Sequence, residues 1–158
     1  MEKINDMNQV HLKETDDYDI TDAIRFQKDD IGRLLLRLSI GGLMLVHGIN
    51  KILFGTEAVT QILARAGLPP FFSFGVFIGE VLAPVLLIIG YKVRLAGFLV
   101  AINMVMATLL VHSSQLDEIS EIGGWMVELN ALYFFGAVAI IFLGSGHIAI
   151  SKGRGALD

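Results

Sequence analysis

Four apolar runs of about twenty residues each, near 31–53, 71–90, 93–112 and 125–143, constrain this chain more than any other feature. A helix of roughly 20 residues rises about 30 Å, the thickness of a bilayer's hydrocarbon core, and in lipid each backbone donor must find its acceptor within its own segment. A soluble helical bundle would show a wide charged face on each helix, whereas Phe71–Gly90 carries only Glu80. A mean hydropathy of +0.64 agrees with a membrane protein. The expected fold is therefore an all-α membrane protein, a four-transmembrane-helix bundle, read as three parts. Residues 1–30 form an acidic cytoplasmic tail, 31–150 the membrane domain, and 151–158 a second cytoplasmic tail.

The first thirty residues hold nine acids against four bases, and the rest of the chain seven acids against eight bases. The tail is polar and lacks an apolar period, so it is expected to be largely disordered from Met1 to about Asp19, with a short surface helix over 20–30. An acidic start without an early apolar run argues against a signal peptide. The charge pattern argues against nucleic-acid binding. Cysteine is absent, which removes disulfides, thiolate-held clusters and thiol exchange, so any redox role uses a borrowed cofactor.

Lysine and arginine fall unevenly. Arg25, Lys28 and Arg33 flank the start of the first run, Lys92 and Arg94 fill the turn after the second, and Lys152 and Arg154 follow the fourth. These sites share one side of an even-numbered bundle, which predicts both termini in the cytoplasm. Gly75, Gly79 and Ala83, and likewise Gly97 and Ala101, repeat at four-residue spacing and are expected to let helices approach closely within one chain, with a homodimer seam as the alternative. Pro84 has no N–H for the carbonyl of Glu80, so a bend is expected just after Glu80.

Ionisable groups inside apolar runs cost about 2.5–3.5 kcal/mol each at mid-membrane on insertion scales, so they face the bundle and pair. His47 and Lys51, four apart on the first helix, share a face in its outer half. Glu80 lies nine residues past Phe71, about 13 Å deep by helical rise. His112 closes the third helix at its outer end, and Glu128 lies one turn inside the fourth. These groups predict an outward polar cluster, with Glu80 and His47 as the proton-handling pair and Lys51, His112, Glu128 and Asn103 as substrate contacts. Each has a plainer reading: Lys51 snorkels, His112 caps its helix, Glu128 stays solvated, and Asn103 and Asn130 make interhelical hydrogen bonds. Arg37 is expected to snorkel inward or meet lipid phosphate, and His147 to lie in a solvated loop. Haem between His47 and His112 is disfavoured by the surrounding charge, and no tight spacing motif supports a metal.

Arg33-Leu-Leu-Leu-Arg37, Val46-His47-Gly48 with Lys51, Gly79-Glu80, the two-base turn at Lys92–Arg94, His112, and Trp125 with Glu128 together resemble the DoxX family, over about 31–150. Gly144-Ser145-Gly146-His147 is similar to the family's glycine-containing exit, while the acidic extension and Ser151–Asp158 depart from it. The resemblance implies a small bacterial inner-membrane protein, in a family that includes the membrane subunit of thiosulfate:quinone oxidoreductase. A quinone ring needs an apolar slot, a donor at each carbonyl and a proton source, which His47, Glu80 and His112 would supply. The expected function is a redox-associated membrane protein that binds quinone or another small substrate and serves a partner redox subunit. A proton-coupled transporter and a structural scaffold are the alternatives.

Overall fold

In a computed structural model, residues 28–121 and 123–158 are described. The expectation of a disordered acidic tail falls, through residue 27, outside the described residues. Among the described residues the structure is helical apart from turns, loops and one isolated bridge between Ile119 and Trp125. Helix α1 (Glu2–Phe54), described from Lys28 on, leads through the short α2 (Glu57–Arg65) to a second span, Pro70–Ile89. That span is composite: a 3-10 turn at Pro70–Phe74, one turn α3 (Gly75–Phe77), a π-helical stretch Ile78–Leu82, and α4 (Ala83–Ile89). Helices α5 (Val93–Val111) and α6 (Glu128–Leu143) complete the bundle.

Lys28–Phe54, Pro70–Ile89 and Val93–Val111 are long and apolar enough to cross a membrane, and α6 is a shorter apolar helix of 16 residues. The fourth run thus starts later as a helix than expected. Trp125 is held in a turn instead, pairing with Ile119 and donating its indole N–H to the Leu116 carbonyl at 2.8 Å. Helix α2 was not anticipated; it buries Leu63 beneath an otherwise exposed connection.

The core is a column of Met44, Ala83, Leu87, Val93, Ala96, Val100, Ala137 and Ile140. Leu35, Val46, Phe98, Leu132 and Phe142 remain outside it, an apolar exterior suited to lipid. Because lipid removes most of the hydrophobic drive between helices, close backbone approach carries the packing. A methyl group at Gly97 would stand 2.9 Å from the Ala137 carbonyl oxygen, and one at Gly41 would stand 3.0 Å from that of Pro84. Gly79, Ala83, Gly97 and Ala101 all pack inside the chain as expected, whereas Gly75 faces open space.

Gly90 adopts φ +73°, which only glycine takes without strain, and closes α4 into the turn before α5. At the same end, residues 144–158 fold back as a strap. Ile150 N–H donates to the Ile89 carbonyl and Ser151 N–H to that of Gly90, both at 3.2 Å; Arg94 N–H donates to the Leu157 carbonyl at 2.9 Å. His147 N–H donates to Asp30 at 2.9 Å, so the start of the first span and the strap lie at one end of the bundle. Arg37 does not snorkel: it is 1% exposed and donates from Nη2 to the Ile148 carbonyl at 2.6 Å. The strap covers it before it can reach lipid.

Candidate functional site

The composite second span places Glu80. Pro84 offers no N–H to the Glu80 carbonyl, and the Ala83 N–H bonds to Ile78, five residues back. Neither Gly79 nor Glu80 therefore has its regular donor four residues on, and the helix widens into a π turn, a distortion frequent at functional positions. Gly48 of α1 lies directly on the Glu80 carbonyl; a Cβ there would overlap it. Only glycine lets α1 approach this closely, and one turn later Lys51 meets the Glu80 carboxylate as an ion pair. Glu80 is buried, at 8% exposure, while the Lys51 side chain keeps 23%. The carboxylate is thus paired within the bundle and is not turned to lipid.

Asn103 comes to the same place from α5. A Cβ at Gly79 would stand 2.5–2.7 Å from the Asn103 side chain, so Gly79 supplies the room in which the amide lies beside the π turn. The Asn103 Nδ2 is buried without a hydrogen-bond partner among the described residues. A buried donor left unmade is costly, and here it packs against Gly79, one residue before Glu80.

The remaining predicted residues distribute differently. His47 shares the α1 face of Lys51, is exposed, and sets its ring edge-on to Tyr133, with centroids 6.4 Å apart at 86°. His112 ends α5 and turns Nδ1 to Gln115 Oε1 at 2.7 Å within its own loop. Glu128 is exposed in the first turn of α6, its carboxylate lying over Gly124. The structure pairs Lys51 with Glu80, sets the Asn103 side chain against Gly79, the residue before Glu80, keeps His47 on the α1 face of Lys51, and leaves His112 and Glu128 in local contacts. Tyr133, 6% exposed, was not among the sequence candidates; its phenol in the middle of an apolar run was the available signal. Asn130 does make the expected interhelical bond, donating to Thr108 Oγ1 at 3.1 Å. It stands in a separate apolar groove of about 240 Å³ between α5 and α6, walled by Met104, Trp125 and Phe134. Among the described residues no three acidic or histidine side chains converge to hold a metal ion.

Chemically, the arrangement offers a carboxylate paired with an ammonium that keeps further N–H groups, and an unsatisfied amide donor against Gly79, all near the break in the second span.

Comparison with known proteins agrees with this architecture. Residues 32–113, just over half of the chain and its first three spans, match the DoxX family. The chain is 34% identical over 82 residues to a Bacillus subtilis (strain 168) protein named "Putative oxidoreductase CatD", an alignment covering 52% of this chain and 60% of that protein. No solved structure matches. Lys51, Glu80 and Asn103 all lie within the family match, whereas Glu128 and the strap lie beyond it, and the chain belongs to the DoxX family.

Proposed function

We propose that this DoxX-family membrane protein is a redox-associated subunit of the bacterial inner membrane that binds quinone, or a small carbonyl substrate like it, at Lys51, Glu80 and Asn103. The observation that carries the reading is the Lys51–Glu80 pair within the spanning segments, with the Asn103 amide donor unmet against Gly79, the residue before Glu80. Asn103 Nδ2 and Lys51 Nζ would donate to substrate carbonyl oxygens, and Glu80 would deliver or take the proton that accompanies reduction. His47 and Tyr133 would wall the entrance. Electrons would come from a partner redox subunit, since the chain holds no cysteine. The name of the Bacillus relative supports the oxidoreductase class. The basic turn at Lys92–Arg94 and the bases that flank the first and fourth spans support a periplasmic facing of the Glu80 end, with both termini cytoplasmic.

Detergent-purified protein, assayed by native mass spectrometry with a short-chain ubiquinone, tests this reading. Glu80→Gln should weaken binding about tenfold, the scale of one lost charge-assisted bond. Equal affinity in wild type and variant would refute the site. A second reading, proton-coupled transport, draws on the broken helix, because discontinuous spans with freed carbonyls are a recurrent way to build transport sites. Substrate-dependent proton uptake into liposomes, without quinone retention, would favour it.

A further inference from the structure

At the opposite end of the bundle the strap covers a cation that forms no ion pair among the described residues. A guanidinium carries five N–H donors. That of Arg37 makes one hydrogen bond, to the Ile148 carbonyl, while its Nε and Nη1 are buried without a partner among the described residues. Of the buried acids at this end, Asp30 accepts from the His147 backbone at Oδ1 and lies 3.3 Å from His147 Nδ1 at Oδ2, while Asp158 packs beside Gly144 and Gly155 at the end of the strap with its Oδ1 unpartnered. The Ser145 and Ser151 hydroxyls bond to one another at 3.1 Å and to strap and turn carbonyls. A backbone carbonyl carries no net charge, so Arg37 stands as an uncompensated buried cation, an arrangement that proteins avoid unless an anion completes it.

We propose that Arg37 is the floor of a binding site for a phosphate-bearing anion, closed in this conformation by the strap residues 146–151. The planar guanidinium fork matches a phosphate through two parallel N–H donors, and the Nε–Nη2 edge becomes that fork once a phosphate displaces the Ile148 carbonyl from Nη2. The surroundings select an anion. Arg33, Lys92, Arg94, Lys152 and Arg154 surround this end, and Arg33 packs against the strap at Gly146. Basic pockets between membrane helices at the level where spans leave the bilayer take anionic lipid headgroups. The strap is built to open. It leaves α6 at Gly144, φ +71°, turns again at Gly146, φ +72°, and is held over Arg37 by a few backbone bonds to Ile89, Gly90 and Asp30. An entering phosphate replaces the Ile148 carbonyl on the guanidinium and frees those strap amides.

Hydrogen exchange on the full chain in nanodiscs tests this with three surroundings: phosphatidylcholine alone, phosphatidylcholine with phosphatidylglycerol, and phosphatidylcholine with inorganic phosphate. The amides of His147, Ile150 and Ser151 should exchange faster with an anion present. Acceleration by phosphatidylglycerol only identifies a lipid headgroup as the source, and acceleration by inorganic phosphate as well identifies a free anion. Unchanged exchange in all three overturns the proposal, and this measurement needs no variant. In native mass spectrometry the wild type should retain phosphatidylglycerol about tenfold over phosphatidylcholine, Arg37→Gln should lose the preference, and Arg37→Lys should keep part of it as a point charge. A preference that survives Arg37→Gln also overturns the proposal.

Discussion

The two ends of the bundle handle a membrane-embedded cation in opposite ways. Lys51 meets a carboxylate from another helix and keeps nearly a quarter of its side chain exposed, so its charge is balanced by an opposite charge from a neighbouring span. Arg37 is 1% exposed and meets only a backbone carbonyl from the strap. The contrast teaches that depth alone does not set the fate of an ionisable residue in a membrane domain. What matters is whether a neighbouring helix brings a counter-charge or a loop brings a lid. Gly48 and Gly79 let α1 and α5 close around a break in the second span, whereas Gly90 and Gly144 let a turn and the strap fold over an intact stretch of α1.

The comparison is most severely tested at Gly48. Gly48→Val forces a side chain into the Glu80 carbonyl and should cost about 3 kcal/mol, the upper range for overpacking, seen as a large drop in detergent thermal midpoint with loss of the monodisperse species. Next in size is Lys51→Met, which strands the buried Glu80 carboxylate. Breaking a fully buried pair costs roughly 3–5 kcal/mol, and the partial exposure of Lys51 reduces this to about 2 kcal/mol. Adding Glu80→Met to that variant should restore most of the loss, a coupling that a double-mutant cycle reads directly.

Arg37→Met should behave differently if the second cation truly lacks a counter-charge. Removing it should change thermal stability by no more than about 1 kcal/mol in neutral detergent, because it deletes a buried charge and leaves one carbonyl unpaired. A loss as large as that of Lys51→Met would erase the distinction between the two ends. The smallest effect belongs to Asn130→Ala, away from both ends' charges, where the Thr108 bond is expected to contribute about 0.6 kcal/mol, the average for polar contacts between membrane helices.

Much of this was legible before any coordinates. The spans follow from run length, and the π turn lies where Pro84 was expected to bend the helix. The grouping of Glu80 with Lys51 and Asn103 was also within the sequence candidates. What could not be read was which neighbours each polar group would prefer. His112 lies three residues from Gln115 and is satisfied there, and Glu128 settles over Gly124, so neither reaches across the bundle. His47 is four residues from Lys51, yet its ring edges onto Tyr133. Arg37 looked like a snorkelling residue because the sequence does not reveal that residues 144–158 return over it.

By itself, the sequence determined that the chain is a set of apolar helices and where the second one breaks. These are local consequences: lipid requires each segment to satisfy its own backbone, and a proline lacks an N–H wherever it stands. Only the tertiary structure decided which ionisable groups meet. That depends on how far each helix is rotated about its axis and how closely it approaches its neighbour. Gly41, Gly48, Gly79 and Gly97 fix both quantities through contacts between residues remote in sequence.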